Sequence, residues 1–115
     1  MVTIPNGKED EAREFYCGVL RLVEIAKPDS LKGRGGLWLK VGDQQLHIGT
    51  EDGVDRMATK AHIAYEVDDL DAWQKRIERE GITIGDSVSI PGYIRFEIRD
   101  PFGNRVELIQ AVEET

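Results

Sequence analysis

The chain has 115 residues, 15 basic and 22 acidic side chains, a formal net charge of −7, and a composition that is 40% hydrophobic and 32% charged. One domain of this length buries a core without disulfides or a structural metal, and its acidity opposes nucleic acid and anionic membrane surfaces, because like charges repel. No stretch approaches the roughly 20 apolar residues that span a bilayer, no basic leader followed by an apolar run opens the chain, and the single cysteine, Cys17, excludes an internal disulfide, so a cytoplasmic location is expected.

In chain order, "VTIP" is a short β-rich start. "NGKEDEAREFYCGVL" follows as an amphipathic helix that begins acidic, with Asn6 and Glu9 as a capping pair. Ala12, Phe15, Tyr16, Val19 and Leu20 share its apolar face, and Cys17 reads as a half-buried structural thiol. Three strands come next: "LVEIAK", "GLWLKV" and "QQLHIG", the last two joined by a tight turn at Gly42-Asp43. The "GRGG" at 33–36 is a flexible loop that could cover a cleft. It lacks the strand–helix context of a phosphate cradle.

After the polar link "TEDGVDRMATK" the order recurs. "AHIAYEV" is a strand and "DDLDAWQKRIEREG" a helix, with Asp68 and Asp71 at its start, Leu70, Trp73 and Ile77 on one face, and Gly81 at its stop. "ITIGDSV", "GYIRFEIR" and "NRVELIQ" are three more strands, and "DPFGN" between the last two is turn chemistry. The pattern βαβββ is thus written twice. Asn6 recurs as Asp68, Gly42 as Gly103 and His47 as Glu107, at separations that agree closely.

Alternation sorts each strand into two faces. Leu37, Leu39, Leu46, Ile48, Phe96 and Leu108 lie on an apolar face, with Phe96 in the core. Trp38, His47, His62, Tyr93, Arg95 and Glu107 lie on the other. A flat exposed sheet would make that second face solvated surface, with Arg–Glu cross-strand pairs contributing roughly 0.2–1 kcal/mol each. A curled sheet would make it a cleft with aromatic walls and convergent polar groups. Two imidazoles and a carboxylate on one surface suit a divalent cation with positions left open. No local metal motif such as HxxxH accompanies them.

"EAREFYCGVL" after a strand, "GLWLKVGDQQLHIG", "KAHIAYEVDDLDAW" and above all "RDPFGNRVELI" resemble the vicinal oxygen chelate superfamily, which comprises glyoxalases, bleomycin- and fosfomycin-resistance proteins and extradiol dioxygenases. The resemblance covers essentially the whole chain. It implies a single α+β domain over 1–115 whose two βαβββ modules, about 1–50 and about 61–110, form curved mixed sheets around a cleft. It also implies a homodimer, domain-swapped or side by side. Metal ligands in such proteins lie on the first and last strands of each module. Carried over position by position, these are a first-strand residue near Met1, then His47, His62 and Glu107. Met1 departs from the histidine usual at that place, since a thioether is too soft for the cations this chemistry uses.

Two functions follow from the resemblance. One is a divalent-metal enzyme (Ni, Zn, Mn or Fe, with no organic cofactor) of lyase, isomerase or dioxygenase type. His47, His62 and Glu107 would be its ligands, with Glu107 doubling as the base. The other is a metal-free small-molecule binder of the bleomycin-resistance type, with Trp38 and Tyr93 as stacking walls. In both, Arg95 is a candidate substrate-binding residue.

Overall fold

The computed structural model describes residues 2–58, 62–88 and 90–112. The fold is α+β and consists of two units, Met1–Ala61 with Asp100–Asn104, and His62–Arg99 with Arg105–Thr115. Each carries one four-stranded mixed sheet. Among the described residues no helix is long and apolar enough to cross a membrane.

In the first unit, β1 (Thr3–Ile4), β2 (Val23–Ile25), β3 (Leu37–Val41) and β4 (Gln44–Thr50) lie in the order β1-β4-β3-β2, with β1 parallel to β4 and the other pairs antiparallel. Gly42, at φ 62°, makes the tight turn between β3 and β4. Ile4, Leu37, Leu39 and Ile48 are buried, as alternation predicts. Each such side chain stabilises by about 1.5–3 kcal/mol relative to exposure.

The first helix departs from expectation. Helix α1 covers only Glu9–Arg13, and Glu14–Val19 continues it with π winding. The wider turn is visible where the Leu20 amide donates to the Phe15 carbonyl, five residues back. It buries the adjacent rings Phe15 and Tyr16 together with Ala12 and Leu20, and leaves Val19 only half-buried. The expected capping pair does not form. Lys8 occupies the N-cap and makes no side-chain capping bond. Asn6 instead donates to Asp52 from its backbone amide at 3.0 Å and its side-chain amide at 2.9 Å. Those two bonds hold the Asp52 carboxyl below its ordinary range. Glu9 accepts from the Gly36 amide at 3.2 Å.

The glycines at the end of "GRGG" are needed for close packing. Gly36 sits at φ 99°, and a Cβ there would lie 2.1 Å from the Ile48 carbonyl oxygen. A Cβ on Gly35 would lie 2.9 Å from the Thr50 side chain. The second half of this loop therefore packs closely on β4.

"DPFGN" also belongs to the first unit, where it forms a buried polar clasp. One carboxylate oxygen of Asp100 accepts from the amides of Phe102 and Asn104, and the other from the Tyr16 hydroxyl at 2.7 Å and the Asn104 side chain at 2.8 Å. Asn104 also donates to the Thr3 carbonyl. Burial, then the charge and hydrogen bond of Asp100, raise the Tyr16 hydroxyl far above its ordinary pKa. Arg56 is 7% exposed and donates to the carbonyls of Thr3 and Glu51 and to the Thr3 hydroxyl.

In the second unit, β5 (His62–Glu66), β6 (Gly85–Asp86), β7 (Tyr93–Arg99) and β8 (Arg105–Ala111) lie in the order β5-β8-β7-β6, with β5 parallel to β8. Helix α2 covers Leu70–Arg79 and is capped by Asp69, whose carboxylate accepts from the Ala72 amide. Leu70 and Ile77 are buried, and Trp73 meets Tyr65 edge to face at 5.7 Å. Phe96 is 5% exposed and belongs to the core, as expected. The strand predicted over "ITIGDSV" shrinks to two residues. Ser87 and Val88 leave the ladder, and the Val88 carbonyl accepts from Arg95 at 2.8 and 2.6 Å instead of from a strand neighbour.

Candidate functional site

The polar face of the second sheet is built from register. Glu97 lies directly opposite Glu107 and Arg99 opposite Arg105, two like-charged pairs across one ladder. Direct like-charge pairs destabilise a sheet. The strands resolve this diagonally: Arg95 reaches Glu107 at 2.7 Å and Arg105 reaches Glu97 at 3.6 Å. Glu107 is only 8% exposed, so it is not the solvated strand residue that alternation allows. Ala64, its partner on β5, is small enough to leave room beside the carboxylate.

Arg95, Glu97, Arg105 and Glu107 line a cavity of about 340 Å³ together with His62, Asp86, Ser87 and Val88. His62 sits at the β5 side, its Nε2 3.8 Å from the second oxygen of Glu107 and its Nδ1 3.1 Å from Arg105 Nη2. A guanidinium has no acceptor, so Arg105 donates and Nδ1 must accept. The proton of the neutral ring is then on Nε2, facing Glu107. A separation of 3.8 Å is too long for a hydrogen bond between the two.

The fit to a divalent cation can be judged from these bonds. A metal-binding imidazole must present a lone pair. In His62 the lone pair is engaged by Arg105, and one oxygen of Glu107 is engaged by Arg95. Any cation here would also meet two guanidinium charges. Among the described residues no three His, Cys, Asp or Glu side chains come together as a ligand set. As arranged, the residues of this unit do not fit a divalent metal.

His47, the remaining candidate ligand, lies in the first unit. Its ring stacks on Trp38, with centroids 3.6 Å apart and planes 13° apart, because β3 and β4 place the two directly opposite. His47 Nε2 is 3.1 Å from Gln45 Oε1. Trp38 is thus paired within its own sheet, and the two rings form a flat aromatic platform. Tyr93 is 44% exposed at the start of β7 and does not line the cavity. The first-strand position at Met1 lies outside the described residues. Cys17 is half-buried, and its thiol is pushed up by burial and by Glu24, as suits a structural residue.

Sequence reading found His62, Arg95 and Glu107 but missed Arg105, Glu97, Asp86 and Val88. Arg105 and Glu97 were legible only as alternating surface charge; their diagonal pairing depends on the β7–β8 register. A second hollow, about 440 Å³, is lined by Ile82, Thr83, Gly85, Glu97, Ile98 and Arg99. Its walls hold no histidine, and the buried carboxylate is not among them, so the chemistry concentrates in the smaller cavity.

The profile of the Glyoxalase/Bleomycin resistance protein/Dioxygenase superfamily matches residues 1–108. No match was found among curated proteins. A crystal structure of a Bacillus anthracis protein ascribed to the glyoxalase family is 41% identical, with a TM-score of 0.88 over 96% of this chain and 90% of that one. The antibiotic-binding protein TnmS3 from Streptomyces sp. CB03234 shares the fold at 21% identity, with a TM-score of 0.73 over 96% of this chain and 92% of that one. Lactoylglutathione lyase from Agrobacterium tumefaciens does so at 24% identity, with a TM-score of 0.71 over 95% and 90%. With the repeated βαβββ order, the "DPFGN" clasp and a profile match over nearly its whole length, the chain belongs to the glyoxalase/bleomycin resistance protein/dioxygenase superfamily.

Proposed function

We propose that this chain is a metal-free member of its superfamily that binds a small polar organic molecule. The observation that carries this reading is the closed Arg95–Glu107 pair inside the cavity of the second unit, at 2.7 Å and with only 20% and 10% of the two side chains exposed. A carboxylate neutralised in this way is a hydrogen-bond acceptor and a shape element rather than a vacant metal ligand. The cavity wall holds Arg95 and Arg105 against Asp86, Glu97 and Glu107. Mixed, nearly balanced charge of this kind suits a neutral or zwitterionic ligand with several hydrogen-bonding groups. His62 and Glu107 stand 3.8 Å apart on the wall of the same cavity. The Trp38–His47 platform is a second binding element, available to a planar group.

The metal-enzyme reading keeps one specific support. His62 and Glu107 are two donors that face each other across 3.8 Å. Calorimetric titration of the purified chain with Ni, Zn, Mn and Fe(II), with elemental analysis of the protein as isolated, separates the two. The expected result is no bound metal on isolation and no saturable uptake. Stoichiometric metal lost on Glu107→Gln would overturn the metal-free reading and restore His62 and Glu107 as ligands.

A further inference from the structure

We infer that the cavity of the second unit takes the carboxylate of a small zwitterion, of the amino-acid type, on the Nε–Nη2 edge of Arg95, where the Val88 carbonyl now stands in for a ligand oxygen and is displaced on binding. The inference rests on the metal-free reading and names the class of molecule bound.

Arg95 uses its two sides differently. Nη1 donates to Glu107 at 2.7 Å on the neighbouring strand. Nε and Nη2 are the parallel donors that match the two oxygens of a carboxylate. Here both converge on one uncharged oxygen, the Val88 carbonyl, at 2.8 and 2.6 Å. A fork suited to two charged oxygens thus holds a single neutral one. A carboxylate offers this edge a second acceptor and a full charge, and so competes well against a lone carbonyl.

The carbonyl is also the partner that yields. The β6–β7 register pairs Gly85 with Glu97 and Asp86 with Phe96, and stops there. Ser87 and Val88 line the cavity from outside the ladder, and the Val88 residue is 80% exposed. Arg95 instead sits on β7, which pairs with β8 along all seven of its residues. Exchange at one edge leaves its bond to Glu107 in place. Binding therefore shifts the rim and keeps the anchor.

Charge selects a zwitterion over a simple anion. The wall already sets Asp86, Glu97 and Glu107 against Arg95 and Arg105. A bare carboxylate would add a further negative charge, which an ammonium group on the same ligand cancels. Glu97 is the acceptor for that group. It lies two residues along β7 from Arg95, on the same face, and Arg105 approaches it only to 3.6 Å, longer than a hydrogen bond.

The test is an NMR titration of the whole chain in EDTA, following the Arg95 Nε–H resonance and the Val88 carbonyl carbon. The probes are glycine, β-alanine and γ-aminobutyrate, whose charges lie progressively further apart. Butyrate lacks the ammonium group and γ-aminobutyramide lacks the carboxylate. At least one zwitterion is expected to shift both resonances saturably. Butyrate should bind at least about tenfold more weakly, and the amide should leave both resonances unmoved. Arg95→Lys, which keeps the charge but not the fork, should lose the Val88 response, and Glu97→Gln should bring butyrate level with the zwitterion. Circular dichroism checks the fold of each variant; if Arg95→Lys does not fold, the wild-type titration decides by itself. No saturable shift with any zwitterion, equal binding of the amide, or an Arg95 shift with the Val88 carbonyl unmoved would overturn the proposal and leave the metal-free reading intact. A response that appears only when Zn(II) replaces EDTA would overturn both.

Discussion

At the scale of single residues, the informative contrast lies between neighbours on β7. Phe96 and Arg95 point to opposite faces, which alternation showed, and both are largely buried, which it did not. Face is a local property, fixed by the two-residue period of a strand. Burial of the polar face depends on which strand lies alongside and on how side chains cross between them. The diagonal from Arg95 to Glu107 needs the antiparallel register of β7 and β8, which no local pattern encodes. Phe96→Ala should cost roughly 3–5 kcal/mol in urea melts, since it empties a core position. Arg95→Ala should cost about 2 kcal/mol, because it strands a buried carboxylate, and not the few tenths of a solvated strand residue.

At the scale of elements, what could be read was order; what could not was where long-range partners would interfere. The βαβββ repeat was legible from hydrophobic periods and turn residues. The Asn6–Glu9 cap was not formed because Asp52, far along the chain, claims Asn6. The π turn of the first helix is equally unreadable, since an apolar set at 12, 15, 16 and 20 satisfies either winding. "DPFGN" was legible as a turn but not as a clasp on Tyr16. That clasp has a pH signature. The folded state keeps the Tyr16 hydroxyl neutral, while in the unfolded chain it ionises near pH 10. Its raised pKa therefore contributes stability that is present below about pH 10 and lost as pH rises through and beyond that value. The stability advantage of wild type over Tyr16→Phe should shrink in denaturant melts above about pH 10. A constant difference up to pH 11, about one unit beyond that pKa, would contradict the neutral buried hydroxyl.

At the scale of the whole molecule, family membership joins repeat, clasp and cavity, but the superfamily name alone selects no chemistry. Self-association is expected. Val88, Ile90, Tyr93, Ile94 and Val112 remain exposed around the end of the β7–β8 ladder, and β1 and β6 are edge strands of only two residues. Light scattering at micromolar concentration should give twice the 13.0 kDa chain mass; a monomer would mean these side chains stay in water. The central claim is that Glu107 is closed by Arg95 rather than held open for a metal. A double-mutant cycle on stability, with Arg95→Gln, Glu107→Gln and the pair together, measures that closure directly. A coupling energy of about 1.5 kcal/mol or more is the predicted result. Coupling within about 0.3 kcal/mol of zero would mean that the two side chains do not hold each other and that the carboxylate is free to take a metal.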